Sequence, residues 1–111
     1  MTRKTMTKTT MTVGLNSQTT ERQEISISEA KNLASELLIE GYGFIGLTMT
    51  ECEGVYKMKS TGDLVYEKSL RIELVTDEDI DNINVIIKEL KYLLDQESIM
   101  LEVEHKQVAF L

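Results

Sequence analysis

The sequence predicts an α+β domain of ferredoxin-like βαββαβ topology, a four-stranded antiparallel sheet with two helices on one face. Three observations predict it. Two stretches repeat apolar residues at helical spacing, four alternate them at strand spacing, and they occur in the order strand, helix, strand, strand, helix, strand. The chain has 111 residues and no linker-like stretch, which fits one domain over 6–111 behind a flexible N-terminal tail over 1–5.

Met11, Val13 and Leu15 alternate with Thr and Gly, so the first strand is expected over 6–15. Asn16–Glu24 is polar and reads as a loop. Ser26 and Glu29 have capping-box spacing, and Ile27, Ala30, Leu33, Ala34, Leu37 and Leu38 follow at helical intervals. Gly41 and Gly43 then stop a helix expected over 27–40. A long strand is expected over 44–58, with Gly54 as a candidate bulge. Lys59–Asp63 reads as a hairpin loop. Tyr66, Leu70, Ile72 and Leu74 mark one face of the next strand, over 64–75, and Glu67, Arg71 and Glu73 the other. Thr76 is the expected cap of the second helix, whose first turns Asp77, Glu78, Asp79 and Asp81 would crowd. Ile80, Ile83, Ile86, Ile87, Leu90, Leu93 and Leu94 form its apolar stripe, ending near Asp95. Ile99, Leu101 and Val103 open a last strand over 98–109.

The net charge is −7 and unevenly placed. Residues 1–20 carry Arg3, Lys4 and Lys8 without an acid, whereas residues 21–111 hold the other nine bases and all 19 acids. An acidic body repels phosphate, so direct nucleic-acid binding is not expected and a basic protein partner is. One Cys excludes a disulfide framework and a multi-Cys zinc site, and with no signal peptide or membrane span visible it points to the cytoplasm.

No motif predicts catalysis, a metal or a cofactor. Glu102 and Glu104 share a strand face that His105 does not. Cys52 lies between Glu51 and Glu53, where anions disfavour the thiolate. Gly41-Tyr42-Gly43 follows a helix, the wrong order for a phosphate loop. Tyr56 and Tyr66 are expected in core packing, because an RNA-binding sheet would display aromatics and bases where this one displays Glu. The expected interaction surface is acidic: Glu67, Arg71, Glu73, Glu102 and Glu104 on the open face, with Glu51 and Glu53 near its edge. Asp77, Glu78, Asp79 and Asp81 form a second candidate patch.

Four segments, Thr12–Asn16, Gln23–Ser26, Ser69–Val75 and Leu90–Ile99, resemble small proteins carried by plasmids, conjugative elements and phages of Gram-positive bacteria. The resemblance spans residues 12–99. It implies a non-enzymatic, anti-CRISPR type inhibitor that binds a Cas9-type RNA-guided nuclease or blocks its guide loading. An acidic domain suits such a target, since a guide channel is lined by Lys and Arg. The alternative is a small metabolite-binding dimer paired through the open sheet face. A third reading is an RNA-degrading enzyme with His105 as acid or base.

Overall fold

Alternating Thr, Met and Val suit a pleated, half-buried surface, and Lys4–Gly14 forms the first strand, β1. The computed structural model describes residues 2–111. Helix α1 (Ile27–Ser35) runs on into a π-helical turn at Glu36–Gly41. Strands β2 (Thr48–Lys57) and β3 (Leu64–Thr76) form a hairpin, then come helix α2 (Ile83–Leu93) and strand β4 (Met100–Val108). The sheet is antiparallel in the order β2-β3-β1-β4, the expected βαββαβ arrangement. No described helix is long and apolar enough to cross a membrane.

The core lies between the helices and one sheet face. Met11, Val13, Leu70, Ile72 and Leu74 from the strands meet Ala30, Ala34, Leu38, Ile86, Leu90 and Leu94. Ser26 caps α1 as its spacing foretold: the hydroxyl accepts the Glu29 N–H at 3.0 Å and donates to the Glu29 carboxylate at 3.2 Å. The hairpin turns at Gly62, whose φ of +77° favours glycine.

Several expectations need correction. The tail is shorter than 1–5: Lys4 and Thr5 pair with Val108 and Gln107, while residue 1 lies outside the described residues. Strand two begins at Thr48, not Phe44, because the Phe44 N–H closes the π turn onto the Leu38 carbonyl at 3.0 Å and cannot join a ladder. Gly54 sits in register opposite Glu67, so there is no bulge. Helix α2 starts at Ile83, behind Asn82. The acidic run before it forms a loop because its side chains find long-range partners. Asp77 pairs with Lys4 at 2.6 Å and Asp79 accepts from Thr7 at 2.7 Å, while the Thr76 hydroxyl donates to the Glu78 carbonyl at 2.6 Å.

Candidate functional site

Ladder register decides which side chains share the open face. Thr12 and Gly14 of β1 lie opposite Arg71 and Ser69 of β3, and Met100 of β4 faces Thr12. Cys52, Gly54 and Tyr56 of β2 follow the same parity against Ser69, Glu67 and Val65. Where β1 ends beside the β2–β3 hairpin, Thr12, Gly14, Tyr56, Glu67, Ser69 and Met100 line, with residues of the loop after β1, a cleft of about 450 Å³. That volume lies in the range of small-molecule sites.

Gly14 admits Glu67 to the floor of the cleft. The carboxylate lies directly over the Gly14 Cα, and a Cβ there would sit 2.7 Å from Oε2 and closer still to Oε1. Glu67 Oε2 accepts the Asn16 N–H at 3.0 Å. The Asn16 side-chain amide donates to the Tyr56 hydroxyl at 3.2 Å. Hydrogen-bond accounting then leaves Glu67 Oε1 and the phenolic proton of Tyr56 without partners among the described residues.

The loop bearing Asn16 is tied down from the far side. Gln96 donates to the Asn16 carbonyl at 2.7 Å. Just past the end of α2, Asp95 takes the left-handed conformation (φ 50°), and its carboxylate accepts from the Ser17 hydroxyl and, at 3.1 Å, from the Gln18 amide. These two bonds, Ser17's the larger, hold the Asp95 carboxyl below its ordinary pKa. The Ser17 hydroxyl also accepts the N–H groups of Thr19 and Thr20 at 3.1 and 3.2 Å, which closes the turn. Lys59 and Glu97, 3.6 Å apart, form part of the rim.

The acidic residues expected to act together are dispersed. Glu67 enters the cleft. Glu73, Glu102 and Glu104 share the open face as foreseen, interleaved with bases: Lys8 lies 3.6 Å from Glu73 and Lys106 lies 3.6 Å from Glu104, while Arg71 faces Thr12 and Thr50. Glu51 and Glu53 do not edge this face. They lie in register with Leu70 and Lys68 on the helix side, where Glu51 meets Lys31 at 3.4 Å. Asp77, Glu78, Asp79 and Asp81 stand at the opposite end of the sheet, in the β3–α2 loop. There His105 Nε2 lies 2.8 Å from Asp79, whose carboxyl is held below its ordinary pKa by Thr7 first and His105 second. Cys52 and His105 sit on opposite edge strands, so they form no catalytic pair.

Sequence reasoning missed most of the cleft. Tyr56 is half-buried in its wall rather than in the core, and Tyr66 is 65% exposed. Gly14, Asn16, Ser17 and Gln96 gave no separate signal, because their roles depend on contacts across 50 to 80 residues.

No protein-family model and no curated protein matches the chain. Solved structures do match in fold. A phage SAM lyase bound to S-methyl-5′-thioadenosine superposes with a TM-score of 0.68 at 20% identity, covering 95% of this chain and 90% of that one. Its apo state matches at 0.65 and 18% identity, over 94% and 89% of the two chains. CutA from Synechococcus elongatus PCC7942 matches at 0.58 and 14% identity, over 92% and 77%. The GlnK–ATP complex of B. subtilis matches at 0.56 and 16% identity, over 92% and 82%.

Proposed function

We propose that this chain binds S-adenosylmethionine in the cleft and splits it to S-methyl-5′-thioadenosine. The observation that carries the reading is the Glu67–Asn16–Tyr56 arrangement: a carboxylate with one oxygen free, beside a phenol with its proton free, in a cleft sized for a nucleoside. The phage SAM lyase and GlnK, two of the fold relatives, are described with adenosine-derived ligands, which supports the choice. A sulfonium is a cation that Glu67 Oε1 would meet, and the Tyr56 hydroxyl would donate to the polar group beside it. As the bond from sulfur to the methionine γ-carbon breaks, the substrate's own carboxylate oxygen forms a new bond to that carbon: the bonding pair returns to sulfur, so a neutral thioether leaves, and the methionine fragment closes to homoserine lactone. Glu67 and Tyr56 contribute by fixing the substrate in a bond-breaking geometry.

The test is to incubate the full chain with S-adenosylmethionine and follow both products by mass spectrometry. S-methyl-5′-thioadenosine is expected in step with substrate loss. Glu67→Gln should slow its release on the order of 100-fold, the scale of a substrate held out of its bond-breaking geometry. Binding without turnover would reduce the reading to a ligand-binding protein, and no binding would end it.

Inhibition of an RNA-guided nuclease through the acidic face has weaker support, since Lys8, Arg71 and Lys106 interrupt that face. Self-association has a specific basis. Leu101 and Val103 lie on the helix side of β4 yet remain 36% and 46% exposed, because neither helix covers that edge. Light scattering should therefore give a mass above the 12.6 kDa of one chain.

A further inference from the structure

Thr12 lies on the cleft floor between Met100 of β4 and Arg71 of β3, two residues before Gly14. Its hydroxyl oxygen is buried and, among the described residues, is the one buried side-chain oxygen or nitrogen without a hydrogen-bond partner. Thr7 of the same strand is buried as a whole residue, where Thr12 is half-buried, yet the Thr7 hydroxyl has a partner and donates to Asp79 at 2.7 Å. An enclosed hydroxyl with nothing to bond is destabilising, and such groups are rare in folded proteins. One staggered turn about χ1 re-aims it.

Across the sheet, the open-face chemistry follows a fixed order. The 55%-exposed Met100 side chain on β4 is apolar, Thr12 on β1 lines the cleft with a hydroxyl that a χ1 turn would bring into it, and Glu67 on β3 and Tyr56 on β2 offer a carboxylate and a phenol. A nucleoside sulfonium has the matching order: flat base, sugar diol, cationic sulfur. We infer that Thr12 is a specificity-determining contact whose hydroxyl meets a ribose hydroxyl of the ligand, with the base against Met100 and the sulfur toward Glu67. The inference rests on the ligand reading above. A hydroxyl that both donates and accepts matches a sugar diol better than it matches a charged group.

The experiment is calorimetric titration of wild type, Thr12→Val and Thr12→Ser with S-methyl-5′-thioadenosine and with its 2′,3′-dideoxy analogue. Wild type should prefer the ribose form roughly tenfold, the worth of one hydrogen bond. Thr12→Val should bind the ribose form about as weakly as wild type binds the dideoxy form, and should no longer tell the two apart. Thr12→Ser should restore the preference. The Tm of Thr12→Val should equal or exceed that of wild type, since an unpartnered hydroxyl is replaced by a methyl group of similar shape. Undiminished affinity in Thr12→Val, or a dideoxy penalty that persists in it, would overturn the inference while leaving the cleft reading intact. A wild type that binds neither compound would remove both.

Discussion

At one end of the sheet Lys4 pairs with Asp77, and beside them Asp79 is shared by Thr7 and His105. At the other end Glu67, Tyr56, Asn16 and Thr12 are joined only in part, and they surround open volume. The two ends hold similar side chains. The difference is closure: the first network holds the β3–α2 loop onto β1 and β4, whereas the second leaves donors and acceptors for something else to satisfy. Polar residues at a sheet end are therefore read by what remains unbonded, not by how many there are.

The sharpest way to break this comparison is Gly14→Ala. The backbone tolerates alanine there, since Gly14 is not at positive φ. The new methyl would displace the Glu67 carboxylate. Ligand turnover should fall on the order of 100-fold, as for an ångström-scale misplacement in an active site, while circular dichroism stays that of wild type. Retained activity would mean that Glu67 does not act from this position.

A smaller contrast comes from Asp79→Ala. It should lower the Tm by a few degrees, as loss of a surface hydrogen-bond network does in a domain of this size, with ligand affinity unchanged. Asp95→Asn should do the reverse. It keeps a residue suited to the left-handed conformation but disturbs the bonds to Ser17 and Gln18, so affinity should fall more than stability. Titration and thermal melts of both variants decide it.

The smallest effects are in pH. Asp79 and Asp95 have lowered carboxyl pKa values, so each contributes stability that is complete above its unfolded value near 3.8 and is lost as pH falls through the folded value. Tyr42 has the opposite sign. Its hydroxyl donates to Glu89 at 2.6 Å, and that bond first, then burial and the Glu89 charge, raises its pKa above 10.0. Its contribution is complete below the unfolded value and is lost as pH rises through the folded one. Melts from pH 5 to 2.5 should therefore cost wild type more than Asp95→Asn. Melts from pH 9 to 11.5 should cost wild type more than Tyr42→Phe.

The elements were legible where a local pattern carried them. The Ser26–Glu29 cap, the Lys59–Asp63 turn and the alternation in β3 all appear where their spacing places them. The acidic run after Thr76 reads as the first turns of α2 but forms a loop, because capping rules see only neighbours along the chain, whereas Asp77 and Asp79 bond to Lys4 and Thr7, more than 70 residues away. Of the expected interaction residues, Glu67 alone enters the cleft, and its charge is legible in the sequence whereas its contact with Gly14 is not.

From hydrophobic periodicity alone the chain determines four strands, two helices, their order and the side of each that is apolar, because burial acts on every turn and every second residue, although the apolar side of β4 stays uncovered. Which polar residues face one another was decided only by tertiary structure. Register sets Gly14 beside Glu67, and the end of α2 sets Asp95 and Gln96 against the loop after β1. Such pairings depend on distances between segments that no stretch of sequence encodes by itself.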